Sequence, residues 1–225
     1  MNQRSAIAKI NKRGMLLVFP INNKKEPASL WSEFYPKAKM RWEWDSDGDN
    51  RVASLWHLMK RLSGMKDVVY SKWFQGRATF FSRELFLALL ADRIRVEDPR
   101  AKLSRNAREI LETLENDSPL STKQLKKMTE LQGRDNEPAY NRAMKELFST
   151  FLIVGFGEVE DGAFPSLAVG ATKLIYEDLW VESRSLDKGA AQETIDRFLP
   201  GAGAAGRFLK KQPTLLFSDD RHSLR

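Results

Sequence analysis

The order of elements between residues 104 and 180 constrains this chain more than any other stretch. An amphipathic helix is expected over 105–116. The cap-like run Ser118-Pro119-Leu120-Ser121-Thr122 then opens a second short helix that reaches about residue 131. A third helix starts near Asn136-Glu137-Pro138 and runs to about residue 150. The β-rich run Phe151-Leu152-Ile153-Val154-Gly155-Phe156 follows, then a turn at Glu160-Asp161-Gly162-Ala163 and a returning strand over 164–169. Asp-Gly between apolar runs is a strong hairpin signal. Three helices followed by a β-hairpin is the order of a winged helix-turn-helix, which makes nucleic acid the expected class of partner.

In the third helix, Tyr140, Met144, Leu147, Phe148 and Phe151 recur at helical spacing and are expected to form a core stripe. Asn141, Arg142 and Lys145 fall on or beside the opposite face, where a recognition helix carries base or phosphate contacts. A plain solvated face is the competing reading. The hairpin tip carries Glu158, Glu160 and Asp161, so it is not expected to touch phosphate.

Charge complicates the simplest reading. The formal net charge is +7, and residues 1–100 alone hold 19 Lys or Arg against 11 Asp or Glu. Residues 101–180 hold 10 against 13. Affinity for nucleic acid depends on neutralised phosphates, so the main contacts are expected in residues 1–100. There are no cysteines, which excludes disulfides, zinc fingers and thiol nucleophiles. Apolar runs stay short of the roughly 20 residues that span a bilayer. Lys9, Lys12 and Arg13 interrupt any signal-peptide core. The expected setting is the cytoplasm, with no membrane association and no cofactor. Oligomeric state is left open.

Residues 1–13 read as a frayed basic end, followed by a short buried strand from Met15 to Phe19 stopped by Pro20. Ser29 is placed to cap a helix over 30–34. Met40-Arg41-Trp42-Glu43-Trp44 alternates like a half-buried strand. A helix over 51–63 places Val52, Leu55, Trp56, Met59 and Leu62 on one face, with Trp56 and Trp31 assigned to the core. Strands are expected over 68–74 and 78–81, and Ser82 caps a helix over 83–93. After residue 180, a helix over 186–199 leads to the small run 201–206, read as a flexible connector, and a loose tail from Gln212. The units expected are a basic Trp/Arg-rich α/β region at 14–98, the winged helix at 104–180, and a C-terminal helix and tail at 181–225. The fold class is therefore α+β, mainly helical, with a winged helix-turn-helix packed on the basic N-terminal region.

The segment 69–83 interleaves Lys72, Arg77 and Arg83 with Trp73 and Phe74 around Gln75. Aromatics stack on exposed bases while cations hold phosphates. Arg41, Trp42, Trp44, Arg51 and Trp31 are candidates to extend that surface, and core packing of the tryptophans is the alternative. Asp45-Ser46-Asp47-Gly48-Asp49 has the look of a calcium loop. Its glycine stands fourth, and Trp56 occupies the position of the bidentate glutamate, so no metal is expected. His57 and His222 have no serine or carboxylate at a telling spacing, which leaves a hydrolase triad unsupported.

Four blocks carry a resemblance to a known family. They are Arg13-Gly14-Met15-Leu16-Leu17-Val18-Phe19-Pro20, Met40-Arg41-Trp42-Glu43-Trp44, Gly76-Arg77-Ala78-Thr79-Phe80-Phe81-Ser82 and Leu120-Ser121-Thr122-Lys123-Gln124-Leu125. With the winged-helix segment they make the chain similar to the AlkZ-related bacterial proteins, distant relatives of the AlkZ-like crosslink-repair DNA glycosylases. The resemblance spans most of residues 13–180. It implies a winged-helix fold and association with DNA. The glycosylases place a water with a Gln-x-Gln or Gln-x-Asp pair, and neither pattern occurs in this sequence. No catalytic residue carries over.

The leading expectation is a DNA-binding protein that recognises damaged or distorted sites. One alternative is a divergent DNA N-glycosylase, for which Glu43, Asp45, Gln75 and Glu84 are the residues to test. The other is a protein-interaction or regulatory module, which the acidic balance of residues 101–180 favours.

Overall fold

The computed structural model describes residues 1–42, 50–94, 98–159 and 166–215. The fold is a mixed α+β arrangement, mainly helical, around one six-stranded sheet. Its elements run α1 (Gln3–Arg13), β1 (Met15–Leu17), α2 (Leu30–Phe34), α3 (Asn50–Ser63), β2 (Val68–Ser71), β3 (Thr79–Ser82) and α4 (Arg83–Arg93). There follow α5 (Arg105–Asn116), β4 (Leu120–Ser121), α6 (Thr122–Met128), α7 (Glu137–Ser149), β5 (Ile153–Val159) and β6 (Ser166–Ala171). The chain closes with α8 (Thr172–Ile175), α9 (Glu177–Ser183), α10 (Lys188–Phe198) and α11 (Ala204–Leu209).

The strands lie in the order β1-β3-β2-β5-β6-β4, antiparallel at every neighbouring pair. The helix–helix–helix–hairpin order expected over residues 104–170 is present. Val159 pairs with Ser166, and the expected turn at Asp161-Gly162 lies outside the described residues.

Alternation along the strands divides the core in two. Successive side chains of a strand point to opposite faces. Leu16, Val68, Tyr70 and Phe80 go to one side, with α1, α2 and α3. Met15, Leu17, Val69 and Phe81 go to the other, with α4, α5 and α7. Both faces are covered, so these short strands read as continuous apolar runs rather than as half-polar ones.

Several helix starts follow from local chemistry. The Ser29, Ser82 and Ser121 hydroxyls accept from the backbone N–H groups of Ser32, Leu85 and Gln124. Ser121 and Gln124 cap each other reciprocally.

Some expectations are corrected. Residues 3–13 form a helix capped by Asn2, because Ala6 and Ile10, one turn apart, bury completely against the sheet. Residues 40–42 are not a strand. The Asn23 side chain bonds both the N–H and the carbonyl of Met40, doing what a neighbouring strand would do. Trp56 is 49% exposed and Leu58 takes its place inside, because Trp56 lies at the margin of the α3 stripe. Met144 is only partly buried, and Ala143 fills the stripe of α7 instead. The 201–206 run is no free connector. It leads into α11, where Gly206 packs so closely on the carbonyls of Leu199 and Pro200 that a Cβ has no room. Nor is the chain loose at Gln212. Arg93 donates to the Gln212 carbonyl and the Thr214 hydroxyl, and Leu215 pairs beside Ile94. Among the described residues no helix is long and apolar enough to cross a membrane.

Candidate nucleic-acid interface

Three main stretches of chain, with Thr122 of α6 beside them, meet around a cleft of about 880 Å³. One wall is the tight turn Phe74–Gly76 that follows β2, bringing Lys72, Trp73 and Gln75. The second is α7, with Tyr140, Asn141, Arg142, Met144, Lys145 and Phe148. The third is the end of α11 and the segment after it, with Phe208, Lys211, Gln212 and Pro213.

The rim is electropositive. Lys72, Arg142, Lys145 and Lys211 are exposed, and none makes an ion pair among the described residues. The two carboxylates present are already engaged. Lys126 donates to Glu137 and holds its carboxyl below the usual range. Glu146 accepts from the backbone N–H and the hydroxyl of Ser104. The acidic balance of residues 101–180 is therefore not the charge that this face of α7 presents. At the hairpin, Glu158 is neutralised by Lys60 of α3 at 2.7 Å.

The interior is apolar and aromatic. Trp73 stacks on Phe151 with centroids 5.6 Å apart and meets the ring of Phe208 edge-on at 4.9 Å. The indole is 2% exposed, and its Nε1–H has no hydrogen-bond partner among the described residues. Burial raises the Tyr140 phenol to about 12. Gln75 sits at the lip with φ 53° and ψ 33°, a left-handed conformation that is uncommon for a residue with a side chain. Such strain persists where the surroundings over-determine it, and it clusters at functional sites.

The cleft unites Lys72, Trp73 and Gln75 with Asn141, Arg142 and Lys145. It does not include the other candidates. Trp73 is a correction in kind, because its ring is part of the core and has no free face for a base. Arg77 is exposed beyond the turn, outside the cleft lining. Arg83 is committed to Asp178 and to the Lys66 carbonyl. Arg51 lies over the rings of Trp31 and Tyr35, and Trp31 is fully buried, so Trp31 offers no surface. Arg41 and Trp42 are exposed on the far layer, where Trp42 rests on Phe19. Trp44, Glu43 and Asp45 lie outside the described residues, as does the 45–49 run. Glu84 is paired with Arg197, away from the cleft. Phe208, Lys211 and Gln212 were not anticipated. The only sequence signal was the Lys210-Lys211 pair after an aromatic.

Among the described residues, no group of His, Asp and Glu side chains is arranged to hold a metal ion. No curated protein and no solved structure matches the chain significantly. A family model described as AlkZ related matches residues 1–209, nearly the whole of the chain. On that match, the chain belongs to the AlkZ-related family.

Proposed function

We propose that the protein binds DNA, and that it does so through the cleft between the 74–76 turn, α7 and the 208–213 segment. The observation that carries this reading is the meeting of four cations, without ion pairs among the described residues, from three parts of the chain on one concave surface. Counterion release from phosphates makes such a surface bind polyanions strongly at low salt. The element order of residues 105–171, with β4 completing the sheet beside β6, supports a winged-helix reading in which the exposed face of α7 contributes contacts. Family membership supports a role at damaged or distorted DNA. The test is binding to a gapped duplex across a salt series. Replacing Lys72 and Lys145 together by Ala should flatten the log–log slope by about 1.4–1.8, taking roughly 0.7 per contact on single strands and 0.9 on duplex. Arg77→Ala, outside the cleft, should change it by less than half as much. If the wild type binds no nucleic acid at low salt, the protein-interaction reading replaces this one.

A second reading, N-glycosylase activity, is favoured by one feature. Gln75, an amide able to orient a water, is held in a strained conformation at the lip of the cleft. Release of free base from alkylated DNA, lost in Gln75→Ala, would support it. Base release unchanged in that variant removes Gln75 from the chemistry.

A further inference from the structure

The partner's strandedness follows from the shape of the site. A recognition helix reads duplex DNA by entering a major groove about 12 Å wide, and the helix itself is about 10–12 Å across. That geometry requires the reading face to stand proud of its surroundings. The exposed face of α7 is instead part of a concave surface of about 880 Å³. Asn141, Arg142 and Lys145 form one wall of a cleft, with Gln75 on one side and Lys211 and Pro213 on another.

The chemistry of the cleft points the same way. Its cations sit at the rim, and its interior is lined by Met144, Phe148 and Phe208. A duplex presents phosphates outside and keeps its bases stacked within. Only an unpaired nucleotide offers a phosphate to the rim and an apolar base face to the interior at once. Base edges also need hydrogen-bond partners. Gln75, Asn141 and Gln212 supply amides.

We infer that this cleft takes an unpaired strand, so that the protein prefers single-stranded DNA, or a gap or bulge in duplex DNA, over a continuous duplex. The inference rests on the nucleic-acid reading above and narrows it.

The experiment compares three fluorescein-labelled probes by anisotropy with the full chain. They are an oligothymidylate of about 12 nucleotides, a blunt duplex of the same length, and that duplex with an internal single-stranded gap. A ribo-oligouridylate serves as the fourth arm and reports whether the sugar matters. The expected result is at least about tenfold tighter binding of the oligothymidylate and the gapped probe than of the blunt duplex. That preference should shrink in Asn141→Ala/Lys145→Ala and in Lys211→Ala, which change exposed side chains and leave the core intact. The oligothymidylate should also quench the intrinsic tryptophan emission, and the blunt duplex should not. Equal or tighter binding of the blunt duplex, still sensitive to Lys145, overturns the single-strand inference and leaves DNA binding standing. A preference for single strands that survives all three replacements overturns the assignment to this cleft. No binding of any probe at low salt overturns both readings.

Discussion

The ring of Tyr70 lies against Gly155 where β2 pairs with β5. These are the paired residues that join the N-terminal strands to the C-terminal hairpin. A Cβ on residue 155 would run into the Tyr70 ring. Gly155→Ala should therefore destabilise the protein by about 1–3 kcal/mol, the usual penalty for overpacking a filled site. A urea titration measures it. Because the sheet is continuous through this point, the variant should still unfold in one transition. Two separated transitions would show that the halves are independently stable.

Phe148 is 4% exposed, on the buried face of α7. Phe148→Ala should cost about 3–5 kcal/mol, from lost burial plus the cavity left behind. A shift in the urea midpoint near zero would mean that α7 is turned the other way, which would also move Asn141, Arg142 and Lys145 out of the cleft.

Ser121 caps α6 in a reciprocal pair with Gln124 and is fully buried. Ser121→Ala should lower stability by about 0.5–2 kcal/mol. The loss should appear as faster hydrogen exchange at the Gln124 amide, the group that the hydroxyl satisfies. Unchanged exchange there would show that the cap is not holding the first turn.

Tyr140 predicts an alkaline limit. Burial pushes its phenol up from 10.0 to about 12. Folding thus favours the neutral ring. That contribution is fully present below the unfolded value near 10 and is lost as pH rises through the folded one. The hydroxyl, beside Thr122, makes no hydrogen bond of normal geometry among the described residues. Tyr140→Phe should therefore be near neutral at pH 7 and should flatten the loss of stability between about pH 10 and pH 12. Tyr70 and Tyr176 are also raised by burial, so some alkaline loss should remain. An unchanged pH profile would place the titration elsewhere.

Much of the frame was legible because its signals are local. The serines at 29, 82 and 121 announce helix starts through their own hydrogen bonds. The spacing of Tyr140, Leu147 and Phe148 phases α7 correctly and leaves Arg142 and Lys145 outside. What escaped depends on distant partners. Ala6 and Ile10 make too small a stripe to announce a helix without the sheet beneath them. Trp56 and Leu58 flank the same stripe, and only the packed α3 decides between them. Trp73 reads equally well as a stacking platform or as core until Phe151 and Phe208 close around it. The third wall of the cleft was invisible, because Arg93 pins residues 212–215 from more than half the chain away.

That pinning makes the cleft conditional on the whole fold. A site built from residues near 72, near 145 and near 211 has no counterpart in the unfolded chain, so whatever fills it must bind only the native state. Mass action then turns occupancy into stability, by about 2.7 kcal/mol for a ligand at roughly 100 times its dissociation constant. Melting temperature accordingly serves as a label-free detector for this surface. A nucleotide, an oligonucleotide or a peptide that seats there raises it, and one that touches the protein equally in both states does not.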